Sequence, residues 1–102
     1  MTEYNKLVRD RIPEIIENSG SRYSIRTLDE EEFGKCIKAK LVEEAKEYEE
    51  SGEIEELADI FEVIGYILDI NGWTYDEVYQ KALEKSKKRG GFDKRIFLEW
   101  TD

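Results

Sequence analysis

Glu44 and Glu47 stand three residues apart, and so do Glu56 and Asp59. On a helix that spacing sets two side chains on one face, one turn apart. Eight residues separate Glu47 from Glu56, and Gly52 is among them, which leaves room for one tight turn between two antiparallel helices. Four carboxylates would then converge on one small volume. Like charges held together repel, and a hard divalent cation with oxygen ligands would offset them. The expected chemistry is a Mg²⁺ site built from Glu44, Glu47, Glu56 and Asp59, because Mg²⁺ is usually shared between protein oxygens, water and substrate phosphates. The competing reading is a set of surface acids on amphipathic helices, which an acidic chain supplies often.

The elements that must position these acids are legible from periodicity. A helix is expected from near Asp29, where Asp29 and Glu32 have capping-box spacing, to about Glu50. Its apolar stripe is Phe33, Ile37, Leu41 and Tyr48, and Glu44 falls in the middle of that stripe with Glu47 at its edge. Lys40 also falls near it. The next helix, from about Glu53 to Ile70, is apolar on two sides: Ile54, Leu57, Ala58, Phe61, Ile64, Gly65 and Leu68 on one, Ile60, Val63, Ile67 and Ile70 on the other. Glu56 lies on the second side and Asp59 on its border. A carboxylate on a core-facing stripe is costly unless it is paired or bound to a cation, so Glu44 and Glu56 break the local rule where function is expected to break it. A helix apolar on two sides is central, either within the domain or across a subunit interface.

The remaining segments frame this hairpin. Asp10 is placed to cap a short first helix with Pro13 in its first turn, ended by Asn18-Ser19-Gly20. Asn71-Gly72 stops the third helix, and Thr74 with Glu77 opens a fourth that runs to Arg89 before Gly90-Gly91. Residues 22–28 alternate weakly, and the tail from Arg95 to Trp100 is apolar enough for a second short strand. The expectation is an all-α single domain over residues 1–102, with possible short strands near 22–28 and 95–100. A partner subunit completes the helical bundle, as a homodimer or homotetramer, because a chain this short buries a modest fraction of its surface.

Charge and composition exclude several classes. The chain carries a net charge of −9, which argues against a surface for duplex nucleic acid. It has no His, which removes imidazole-based acid–base catalysis and metal ligation, and a single Cys36, which removes disulfide frameworks and zinc clusters. There is no apolar stretch of membrane length and no secretory leader pattern, so the chain reads as cytoplasmic and not membrane-bound. No EF-hand loop or GxxxxGK[ST] loop is present. The charge is unevenly spread: residues 29–62 hold 14 of the 25 acids, and residues 81–95 hold 7 of the 16 bases. Lys85, Lys88 and Arg89, at the end of the fourth helix, are candidate holders of phosphate oxygens, although cations and glycine are also ordinary helix C-terminal chemistry. Lys6 and Arg9, in the N-terminal Tyr4-Asn5-Lys6-Leu7-Val8-Arg9-Asp10-Arg11, are weaker candidates for the same role.

The segment Glu43-Glu44-Ala45-Lys46-Glu47, followed by Glu55-Glu56-Leu57-Ala58-Asp59, resembles the EExxE…ExxD signature of the MazG-like, all-α nucleotide pyrophosphohydrolases. The opening Tyr4–Ile16 and the Lys85–Phe92 segment are similar to a small branch usually described as phosphoribosyl-ATP pyrophosphohydrolase-like or house-cleaning. The resemblance implies Mg²⁺-dependent hydrolysis of a nucleoside triphosphate to the monophosphate and pyrophosphate, directed at noncanonical or surplus nucleotides. It implies Glu44, Glu47, Glu56 and Asp59 as metal ligands. It makes Glu43, Glu44 and Glu47 the catalytic acids, with Glu43 either supporting the metal ligands from behind or positioning water. Lys85, Lys88 and Arg89, with Lys6 and Arg9, would hold phosphates. The sequence departs from the family in a short gap between the acidic motifs and in Ser86, which stands where many relatives have Asn. Asp59 is followed by Ile60-Phe61-Glu62-Val63 without a His, so phosphoribosyl-ATP hydrolysis is a secondary enzymatic alternative. The alternative of another class is a noncatalytic acidic helical module that binds a protein partner or a nucleotide.

Overall fold

The computed structural model describes residues 2–102, which form four helices and, among the described residues, no strand. They are α1 (Ile12–Asn18), α2 (Glu30–Ser51), α3 (Ile54–Asn71) and α4 (Tyr75–Arg89). The all-α expectation holds, and the two short strands do not form. Residues 22–28 and 95–100 are irregular, and Ile25, Ile96 and Phe97 lie exposed along them. A two-stranded pair with no covered apolar face is at best marginal in water, so nothing compensates the ordering of these segments.

The helix starts follow from local chemistry. The Asp29 carboxylate accepts from the Glu32 amide at 2.8 Å and opens α2, and the Thr74 hydroxyl accepts from the Glu77 amide at 3.1 Å and opens α4. Asp10 does not cap α1. The N-cap residue is Arg11, without a side-chain cap bond, and the Arg9 carbonyl accepts from the Ile12 amide at 3.1 Å, so a backbone turn starts the helix. Pro13 sits in the first turn as expected.

α2 and α3 form an antiparallel hairpin and are the one extensively packed helix pair. Gly52, at φ +67°, closes α2, and its amide donates to the Tyr48 carbonyl at 2.7 Å. That left-handed conformation costs little for Gly and more for any residue with a Cβ. α3 offers α2 the side that carries Ile60, Val63 and Ile67, and Val63, Leu68 and Ile37 are the buried hydrophobic residues of the hairpin. The other apolar side of α3 is covered at Leu68 but open toward its N-terminal half, with Ile54 at 74% and Phe61 at 63% exposure. α4 joins α3 through Tyr75, whose ring stacks on Phe61 at 5.3 Å between centroids. Its hydroxyl lies against Gly65, where an added Cβ would come within 2.7 Å. The chain is extended: its radius of gyration is 18.2 Å, against about 13 Å for a compact domain of this length.

Because the turn conformation at Gly52 is specific, Gly52→Ala is expected to destabilise the protein by about 1 kcal/mol. Urea unfolding followed by circular dichroism should show a lower midpoint with an unchanged slope.

Candidate metal centre

The tight turn sets the register of the two acid pairs. Glu47 precedes Gly52 by five residues and Glu56 follows it by four, which places both roughly 6–8 Å from the turn along their helices. Glu44 and Asp59 lie one turn further out, at about 10–12 Å. Each acid therefore faces one at a similar height on the opposite helix. One carboxylate oxygen each from Glu44, Glu56 and Asp59 come within 4.8 Å of one another. Glu47 is exposed at the rim, and its carboxylate adjoins those of both Glu44 and Glu56. The structure thus brings together all four acids that the sequence singled out.

Glu44 is the buried member, at 7% exposure, and its Oε2 has no hydrogen-bond partner. A buried carboxylate oxygen without a donor is costly, and native structures seldom leave one so. Burial first, then the neighbouring Glu47 and the charge of Asp59, push the Glu44 carboxyl up to about 7, against a smaller downward pull from Lys40. Desolvation, with Glu47 and Asp59 nearby, also raises Glu56. The donor set is all oxygen, spans two rigid helices, and suits a hard divalent cation.

A ring of bases surrounds the acids. Lys40 is 17% exposed at its side chain and reaches Glu43 at 2.8 Å and Glu44 Oε1 at 3.8 Å. From the sequence, Lys40 is a base near the apolar stripe with no assigned role. Its i, i+3 and i, i+4 spacing to these two acids was the available signal. Lys6 donates to Glu43 at 2.9 Å. Bonds from Lys40 and Lys6 hold the Glu43 carboxyl below its ordinary range, so it stays ionised at neutral pH. Arg9 reaches Asp59 at 2.8 Å through Nη2 and Glu62 at 2.7 Å through Nη1. Glu62 is a site residue that the sequence motif does not include, although it lies i, i+3 from Asp59 on the same face.

The phosphate candidates lie at different distances from the acids in one chain. Lys6 and Arg9 stand at the acid cluster. Lys85, Lys88 and Arg89 are exposed on α4, roughly 15–21 Å along that helix beyond Tyr75, and none of them forms an ion pair with the hairpin acids among the described residues. A basic helix end was visible in the sequence, but its distance from the acids depends on how α4 leaves α3.

Comparison with known proteins does not assign this site. No family model matches the chain, and no solved structure does. A protein of Mycolicibacterium smegmatis named "Uncharacterized protein" is 52% identical over 42 residues. That match covers 41% of this chain and 43% of the relative, so the chain spans less than half the length of the curated relative it matches. No helix of the described residues is long and apolar enough to cross a membrane.

The raised Glu44 carboxyl has a defined sign. Between the ordinary Glu range and pH 7 the folded, cation-free protein holds a proton that the unfolded chain has released, so this group's contribution to stability falls as pH rises through that window. Glu44→Gln removes the effect. The variant is expected to match the parent near pH 4.5 and to exceed it by about 1–3 kcal/mol above pH 7, measured by urea unfolding in chelator across that range.

Proposed function

We propose that this chain is a Mg²⁺-dependent nucleotide pyrophosphohydrolase, which splits a nucleoside triphosphate or a related nucleotide into the monophosphate and pyrophosphate. The observation that carries the reading is the buried, unpartnered Glu44 Oε2 within reach of Glu56 and Asp59. The resemblance of the two acidic segments to the EExxE…ExxD signature points the same way. Glu44, Glu56 and Asp59 would hold the ion, with Glu47 at the rim as a further ligand. When bound, Mg²⁺ would neutralise phosphate charge and lower the pKa of a coordinated water. Glu43, fixed by two lysines, orients water; its lowered pKa makes it a poor proton acceptor. Lys6 and Arg9 are the nearest donors for phosphate oxygens.

The test is a panel of nucleoside triphosphates incubated with Mg²⁺, with pyrophosphate quantified for the parent and for Glu44→Gln. Release by the parent and a loss of at least about 100-fold in the variant are expected. No release from any nucleotide sinks the enzymatic reading, and equal release by the variant sinks the role of Glu44.

The open side of α3 supports assembly into a homodimer or homotetramer. Ile54, Leu57 and Phe61 form an apolar strip, three to four residues apart, that is largely exposed in one chain, with the Tyr75 ring against its Phe61 end. A second copy would cover this strip and could bring the basic end of α4, with Lys85, Lys88 and Arg89, toward the acids of its neighbour. The same strip favours the second reading, a noncatalytic module whose partner is another protein. Sedimentation at micromolar concentration separates the two: a dimer or larger is expected, with Ile54→Asp shifting it toward monomer. A monomeric parent leaves the strip to a different protein.

A further inference from the structure

We propose that Lys6 and Arg9 form an electrostatic strap across the mouth of the hairpin, one that competes with the divalent cation and is released toward phosphate when the cation binds. The inference rests on the cation-site reading above and goes beyond it.

The arm before α1 touches both helices of the hairpin. Lys6 is tied to Glu43 on α2 at 2.9 Å, and the Arg9 guanidinium forks between Asp59 and Glu62 on α3 at 2.8 and 2.7 Å. Asp59 is therefore claimed twice, by Arg9 and by the carboxylate trio that it shares with Glu44 and Glu56. A fixed positive charge at one shared carboxylate raises the cost of placing a second cation beside it. The strap is also easily displaced. Arg9 is 57% exposed at its side chain and Lys6 is 45%, and pairs that open to water are held weakly. Phosphate oxygens are a better match for a guanidinium fork than two separate carboxylates, because both bonds then converge on one group. A cation bound at Asp59 repels Arg9, and a cation-bound pyrophosphate group offers it a new acceptor nearby. The strap thus orders the events: the cation loosens the arm, and the phosphates recapture it.

The competition predicts effects of opposite sign from one substitution. In calorimetric titrations of the full chain at fixed ionic strength, Arg9→Gln is expected to bind Mn²⁺ roughly three- to tenfold more tightly than the parent. At saturating Mn²⁺, the same variant is expected to bind inorganic pyrophosphate roughly three- to tenfold more weakly. Arg11→Gln removes the same charge from a residue paired only with Glu14, and it should change neither affinity. Circular dichroism and urea unfolding verify that each variant is folded. If the parent binds Mn²⁺ and Arg9→Gln binds it equally or more weakly, the strap is overturned while the cation site stands. Equal tightening by Arg11→Gln reduces the effect to net charge and also overturns the strap, as does unchanged pyrophosphate affinity in Arg9→Gln. If neither the parent nor Arg9→Gln binds Mn²⁺, the cation site itself is wrong and the strap falls with it.

Discussion

A carboxylate lies in the seam between α2 and α3, and the rest of the hairpin is arranged around it. Glu44 occupies a position on α2 that the stripe of Phe33, Ile37, Leu41 and Tyr48 reserves for a hydrophobe. An apolar residue buried there would add on the order of 1–3 kcal/mol. The chain instead buries a group that repels its neighbours Glu47 and Asp59 and leaves one oxygen without a donor. Glu44 therefore costs stability at a position where a hydrophobe would add it, and the local rule is broken there.

The seam has little else to lean on. Ile37, Val63 and Leu68 are the buried hydrophobic residues among those described, and α4 is attached through a single aromatic stack at its first turn. Such a core is small for a chain that exposes Ile54, Phe61, Tyr79 and Trp73. The one-chain fold therefore leaves much of its apolar surface uncovered. The register of the acids, however, is set locally. The turn at Gly52 fixes which residues of α2 oppose which residues of α3, so the cluster needs only the hairpin to form.

That locality explains how much the sequence could tell. Helix limits, the caps at Asp29 and Thr74, and the opposition of Glu44 and Glu47 to Glu56 and Asp59 all follow from spacing and one glycine. The two apolar sides of α3 were legible, and so was the anomaly of Glu44 on its stripe. What was not legible depends on tertiary routing. Residues 22–28 and 95–100 have strand-like composition but no face to pack on. The phosphate candidates on α4 look persuasive as a basic run, yet where they sit depends on the Phe61–Tyr75 contact. Lys6 and Arg9 look like a charged arm, and nothing in their spacing says that the arm folds back over the acids.

The charge balance of the cluster is uneven. Six carboxylates, those of Glu43, Glu44, Glu47, Glu56, Asp59 and Glu62, gather around three bases, Lys6, Arg9 and Lys40. Two of those bases are exposed at the rim, where water and salt screen them. Lys40 is the sheltered one, and its closer bond goes to Glu43, not Glu44. The innermost carboxylate thus has only a long contact to a base, and one of its oxygens has no donor. Two remedies exist. A proton on Glu44 removes its charge, which is why that carboxyl titrates near 7 in the cation-free protein. A divalent cation removes the repulsion for the whole trio and gives the orphaned oxygen a partner, and it must displace that proton to do so. The remedies differ in what they would leave behind: the first closes the site, while the second would leave a largely neutralised cluster with open coordination positions at the mouth, where a phosphate oxygen could bind.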